Sequence, residues 1–206
     1  MSFRKGLTGQ AKLRLILFTF LAFVVTPMLS GTALGQGLEL NGGWSHITGN
    51  FGTDGFNVGG AWYFTPKVSF AADYDDTWDS TNLSTFQFTK IGAIAVHSQL
   101  WDFMIGPRIF FATGWTDEHK LIPFGELQFG VSDLNQRIQQ ANAGSFTGSD
   151  KEFAWLLGGG IDYLFSPHWS GRAKLDYLRT HFVSEGQSHL RLVVGITYTL
   201  GSREKK

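Results

Sequence analysis

Phe153-Ala154-Trp155-Leu156-Leu157-Gly158-Gly159-Gly160-Ile161-Asp162-Tyr163-Leu164-Phe165, followed after Ser166-Pro167-His168 by Trp169-Ser170-Gly171-Arg172-Ala173-Lys174-Leu175-Asp176-Tyr177, is the stretch that decides the fold. Phe153, Trp155, Leu157, Ile161, Tyr163 and Phe165 alternate with Ala154, Gly158, Gly160 and Asp162. The alternation resumes with Trp169, Ala173, Leu175 and Tyr177 against Arg172, Lys174 and Asp176. A third run sets Leu190, Leu192, Val194, Ile196, Tyr198 and Leu200 against His189, Arg191, Gly195, Thr197 and Thr199. Successive strand side chains point to opposite faces, so each run carries one apolar, aromatic face and one polar or charged face.

Similar segments lie upstream at Leu38 to Trp44, Phe56 to Phe64, Val68 to Tyr74, Leu100 to Phe111 and Leu121 to Ser132, making eight. The fourth is irregular, because Met104 and Phe110 stand on the side of Asp102 and Arg108. Thr65-Pro66-Lys67 and Ser166-Pro167-His168 predict two tight turns of one design, with proline fixing φ early in the turn. The connector Thr113 to Lys120 is moderate, while Ser45 to Gly55, Asp75 to Gln99, Asp133 to Glu152 and His181 to Ser188 are polar and mostly longer. Short turns at one rim and longer loops at the other is the asymmetry of an outer-membrane barrel. Two segments resist this scheme. Thr85 to His97 is apolar enough for a strand and is read as a hairpin extension or a flap over the mouth, and Leu134 to Ala143, rich in Gln and Asn, as a loop with a short helical turn.

The 206-residue chain begins with a leader-like segment: Arg4, Lys5, Lys12 and Arg14 precede an apolar run from Leu15 to Val25, and Ala33-Leu34-Gly35 supplies small residues. That order predicts a secretory signal peptide. The expected organisation is a signal peptide over residues 1–35, a barrel over 36–200 and a short polar tail over 201–206. No other stretch reaches the ~20 apolar residues of a spanning helix, so a membrane would have to be crossed by strands. Mean hydropathy near zero is what strict alternation yields when averaged. The chain has no cysteine, which excludes disulfides and thiolate metal sites, and its zero net charge gives no reason to expect nucleic acid as a partner.

Alternation alone leaves open whether the apolar face meets lipid or a soluble core, as in a secreted lipocalin-like barrel binding an apolar ligand. Three features favour lipid. Trp155, Tyr163, Phe165, Trp169, Tyr177 and Tyr198 sit near strand ends on the apolar face, as an interfacial girdle does. Asp102, Arg108, Glu126, Asp162, Arg172, Lys174, Asp176 and Arg191 share the opposite face with mixed signs, as an ion network inside a narrow barrel requires. The leader agrees with export.

These segments resemble the small outer-membrane β-barrel domain family, similar to OmpA- and OmpX-type eight-stranded barrels, over essentially the whole of residues 36–200. The resemblance implies an all-β, eight-stranded antiparallel up-and-down transmembrane barrel, exported through the Sec pathway to the outer membrane of a Gram-negative-type bacterium, monomeric and at most a narrow porin-like pore. In that family the last strand carries a signal for the barrel-assembly machinery, which Gly195, Tyr198 and Leu200 fit; the chain departs from it by ending the strand in Leu and adding Gly201 to Lys206. Lipid and that machinery are the implied partners, with an unidentified extracellular ligand.

Several motifs have a bland reading beside a sharp one. Gly158-Gly159-Gly160 continues a strand, with no helix pattern after it, and reads as close backbone packing before a phosphate loop. Asp73, Asp75, Asp76 and Asp79 around Trp78 lack calcium-loop spacing and read as a solvated acidic loop. His181 with Ser184 and Ser188 is the nearest approach to a lipid A-modifying site; a rim histidine reads as surface, and no enzymatic activity, cofactor or metal is expected. Function is thereby assigned to the long loops: a structural, adhesive or surface-binding role.

Overall fold

The computed structural model describes residues 37–48, 52–83, 94–111, 120–140, 144–181 and 186–200, with side chains throughout except at 80–83, 94–96, 138–140 and 144–146. The expected signal peptide and C-terminal tail lie outside the described residues. Eight strands run β1 (Gly37–Ile47), β2 (Thr53–Thr65), β3 (Val68–Leu83), β4 (Ile94–Phe110), β5 (Leu121–Gln140), β6 (Gly144–Leu164), β7 (Trp169–Thr180) and β8 (Gln187–Leu200). Each pairs antiparallel with the next in sequence, and β8 returns to β1 through Leu38↔Leu200 to Ile47↔Arg191, closing the barrel. Closure leaves no unpaired edge around the wall, which is what allows strands to sit in hydrocarbon.

The ends of β1 and β8 share one rim with the two proline turns. In both turns a hydroxyl replaces a missing ladder bond: Thr65 Oγ1 accepts from the amides of Lys67 (3.2 Å) and Val68 (3.0 Å), and Ser166 Oγ from those of His168 (3.4 Å) and Trp169 (3.0 Å). The recurrence seen in the sequence is this shared turn chemistry.

At the opposite rim two of the expected long loops, Asp75 to Gln99 and Asp133 to Glu152, are largely strand among the described residues. β3 and β4 stay paired to Leu83↔Ile94, and β5 and β6 to Gln140↔Gly144. The Gln- and Asn-rich stretch from Leu134 to Gln140 is therefore ladder, which corrects the reading of a helical turn. Of the Thr85–His97 segment, Ile94 to His97 belong to β4 and the remainder lies outside the described residues. On the flanks, β2 stops pairing with β3 at Asp54↔Trp78 and β7 with β6 at Trp155↔Arg179. β3 to β6 thus rise past their neighbours as a four-stranded sheet.

Burial follows the alternation around the whole wall. The outward positions pass from apolar or aromatic to polar at one step on every strand: Trp44 to His46, Phe56 to Asp54, Tyr74 to Asp76, Trp101 to Gln99, Val131 to Asp133, Phe153 to Lys151, Tyr177 to Arg179 and Leu190 to Ser188. Below that ring the outer wall is apolar, with Ile105, Leu157, Leu175, Val194 and Ile196 among its exposed residues.

Candidate functional site

Seven carboxylates (Glu39, Asp73, Asp75, Asp102, Glu126, Asp162 and Asp176) and four cations (Arg108, Arg172, Lys174 and Arg191) are buried inside the barrel. Arg108 donates from Nε to Glu126 Oε2 (2.7 Å), from Nη1 to Glu39 Oε1 (3.0 Å) and from Nη2 to Asp73 Oδ2 (3.4 Å). Arg172 grips both oxygens of Asp162 (2.7 and 2.8 Å) and reaches Glu39 Oε1 (2.6 Å). Lys174 Nζ lies between Asp73 Oδ2 (3.0 Å) and Glu126 Oε1 (3.2 Å), with Asp176 Oδ2 at 3.7 Å. Arg191 donates twice to Asp176 Oδ2 (3.0 and 2.8 Å) and once to Asp75 Oδ2 (3.1 Å). Gln128 and Asn57 add amide donors to Asp73 and Asp75, and the Tyr63 hydroxyl donates to Glu39. Shared partners on seven strands, with Asn57 and Tyr63 of β2 as donors, make this one belt, and the forked arginines supply the geometry that buried charge needs.

Of the eight residues the sequence assigns to this network, seven stand in ion pairs. Asp102 is the exception: it accepts from the Ser132 hydroxyl, and no cation lies within ion-pair distance of it among the described residues. Glu39, Asp73 and Asp75 are members the sequence reading leaves out. Asp73 and Asp75 do not belong to a solvated acidic loop with Asp76 and Asp79. All four lie on β3, whose alternation turns Asp73 and Asp75 into the belt and Asp76 to the outer wall. No group of three His, Asp or Glu side chains among the described residues is placed to hold a metal.

Two glycines make room for these carboxylates. A Cβ at Gly158 would meet Asp176 Oδ1 at 2.1 Å and the Asp176 Cα at 2.7 Å; one at Gly59 would meet Asp73 Oδ1 at 2.2 Å. The Gly158–Gly160 run is thus part of the β6–β7 wall, where the charged row of β7 is pressed against the backbone.

Apolar clusters cover the belt on both sides. Toward the proline-turn rim lie Tyr63, Phe110, Ile122, Phe124 and Leu164; toward the raised sheet lie Ile47, Leu100, Met104, Ala154, Leu156 and Leu178. Met104 and Phe110, irregular in the sequence pattern, are members of these two lids. Phe124 also bonds the layers, with the guanidinium of Arg108 5.0 Å and that of Arg172 4.8 Å from its ring centroid. An eight-stranded interior has room for side chains only, and here they form an apolar, an ionic and a second apolar layer.

On the outside, Trp155, Tyr163, Phe165, Trp169, Tyr177 and Tyr198 all face outward. Trp155 packs on Tyr177 (5.8 Å between centroids) near the polar ring, and Trp169 on Tyr198 (4.7 Å) at the turn rim. In the proposed assembly signal, Gly195 opposes Gly43 across the closing seam and Leu200 opposes Leu38. His181 is exposed and Ser184 lies outside the described residues, while Ser188 Oγ is engaged by Tyr177 (2.7 Å) and Arg179 (2.5 Å). A groove of about 400 Å³ lies on the raised sheet, lined by Trp78, His97, Gln99, Asn135, Arg137 and Thr147 among others.

No family model matches the chain, and no curated protein matches it in sequence. Solved structures do match in fold. The attachment invasion locus protein Ail of Yersinia pestis, crystallised with the heparin analogue sucrose octasulfate, superposes with a TM-score of 0.57 at 14% identity, covering 80% of this chain and 99% of Ail. A major outer membrane protein from Thermus thermophilus gives 0.54 at 10% identity, with 79% and 99% covered. The outer membrane protein OprG from Pseudomonas aeruginosa gives 0.51 at 9%, with 82% and 97% covered. The fold is that of bacterial outer-membrane barrels.

Proposed function

We propose that the protein is an integral outer-membrane barrel, closed to ions, that carries its function on the sheet raised by β3 to β6. The single observation behind this is the unbroken ring of apolar-to-polar steps on the outer wall, above a band of exposed aromatic and aliphatic side chains that no soluble barrel would leave in water. The belt and its lids support closure, because a permeating ion would have to cross two apolar layers. Barrels of the same fold from three bacteria are outer-membrane proteins, which supports the location.

The raised sheet supports a surface-binding role. From Gly144 to Ala154, β6 is paired with β5 on one side and with no strand among the described residues on the other. At ~3.3 Å per residue this leaves roughly 30 Å of strand edge. An unpaired edge offers its backbone donors and acceptors to an extended segment of another protein. The edge itself carries Asp150, Lys151 and Glu152, so the partner read here is an extended peptide segment and not a polyanion.

Fractionation together with the gel mobility of unheated and boiled samples tests location and fold: the protein is expected in outer-membrane fractions, migrating faster before boiling. Recovery in a soluble periplasmic or secreted fraction would overturn the reading. In planar bilayers the purified protein is expected to give no discrete conductance steps.

A further inference from the structure

One large aromatic breaks the outer-wall pattern. Trp78 faces outward one position beyond Asp76, on the polar side of the ring, and 53% of it is exposed. Its neighbours across the sheet are Gln99 and then Asn135, one row of the register. Both amides are held by carboxylates of the row below: Gln99 Nε2 donates to Asp76 Oδ1 (2.8 Å) and Asn135 Nδ2 to Asp133 Oδ1 (3.1 Å), while Ser149 donates to the same Asp133 oxygen (3.3 Å). With their nitrogens fixed, the two amide carbonyl oxygens have no partner among the described residues and stand as oriented acceptors in the groove of about 400 Å³ that Trp78 borders. Phe56, 6.2 Å away between ring centroids, props the indole from the membrane side.

We propose that this groove binds a saccharide, with the Trp78 indole as the platform for the C–H face of a sugar ring and the Gln99 and Asn135 carbonyls accepting from its hydroxyls. A flat aromatic face beside a few fixed polar groups suits a ligand that is apolar on the face of its ring and hydrogen-bonding at its edge. A hydrocarbon ligand would leave the two acceptors unpaired, and the groove sets one acidic lining residue, Asp79, against one basic one, Arg137, so its charge does not select an anion. The groove opens at the level just above the apolar band. Two sources therefore present the same chemistry: the sugar headgroup of an outer-leaflet glycolipid, which rests on the membrane reading above, and a glycan from outside the cell.

The test is surface plasmon resonance on the full-length protein in detergent, with two probes: intact lipopolysaccharide, and the core oligosaccharide freed from it by mild acid. Binding by either probe that falls at least tenfold in Trp78→Ala, and again in the Gln99→Ala/Asn135→Ala double variant, supports the site. Markedly tighter binding of the intact lipid assigns it to the leaflet; equal binding assigns it to an external glycan. Trp169→Phe, at the other rim, is expected to bind like the parent. Absence of binding by both probes, or binding unchanged in both groove variants, overturns the proposal. Heat-modifiable mobility is read on every variant, so failure of the barrel reading is distinguished from failure of the site.

Discussion

Arg172→Leu isolates the electrostatic logic of the interior. The side chain is buried and donates to both oxygens of Asp162 and to Glu39. Glu39 keeps Arg108 and the Tyr63 hydroxyl in the variant, so the loss falls mainly on Asp162, whose carboxylate loses its bidentate partner in a layer closed to water. Removing one member of a buried pair costs about 3–5 kcal/mol, and at 1.4 kcal/mol per decade 3 kcal/mol is already more than a hundredfold in the folding equilibrium. The informative comparison is Arg172→Leu/Asp162→Leu. The two residues are cross-strand partners, and Asp162 also opposes Ile122 of the lower lid, so two leucines extend an apolar layer already present. Buried pairs replaced together by apolar residues are often near neutral, so the double variant should recover at least about 2 kcal/mol of the single variant's loss. Urea unfolding in phospholipid vesicles, followed by tryptophan fluorescence, measures both. A single-variant loss under about 1 kcal/mol, or a double variant no more stable than the single, would refute the reasoning.

Asp102→Asn keeps an acceptor for Ser132 and removes a buried charge that has no ion-pair partner among the described residues, so it should raise stability by roughly 1 kcal/mol; a lower urea midpoint would contradict that. Gly158→Ala drives a methyl into Asp176 and should cost about 3 kcal/mol or prevent recovery of the heat-modifiable form, whereas Gly171→Ala, with nothing within 4 Å of the new carbon, should be tolerated. Spin labels at Leu192 and Val194 should respond to oxygen dissolved in the bilayer and little to a water-borne relaxer, while a label at Val193, turned into the barrel, should respond weakly to both. The reverse accessibility at 192 and 194 would place water where lipid is assigned.

The wall is legible in the sequence because its rule is local. A two-residue period over β6, β7 and β8 identifies the inward charges Asp162, Arg172, Lys174, Asp176 and Arg191 without knowledge of any partner, and the proline turns announce one rim. The partners are not legible. Arg172 meets Glu39 across 133 positions of sequence and Arg191 meets Asp75 across 116, separations fixed only when β8 closes on β1. Asp73 and Asp75 escape the sequence reading because β3 crosses the polar ring just there: inward carboxylates interleaved with outward Asp76 imitate a hydrated loop, although the backbone continues as strand to Leu83.

The same ambiguity explains the raised sheet. A strand inside the apolar band must alternate, because one side faces the band and the other the belt; beyond the ring both sides can be polar, and the period disappears from the sequence while the hydrogen-bond ladder does not. Gln, Asn, Ser and Thr from Leu134 to Gln140 and from Ser145 to Ser149 therefore read as connector. What holds these strands is pairing with neighbours rather than burial, and pairing leaves no signature in a single sequence. Met104 and Phe110 make the converse point: apolar residues at inward positions look like lapses in the pattern, but a belt of ten charged side chains is tenable only where lids exclude water from above and below, so the lapses fall where the lids must be.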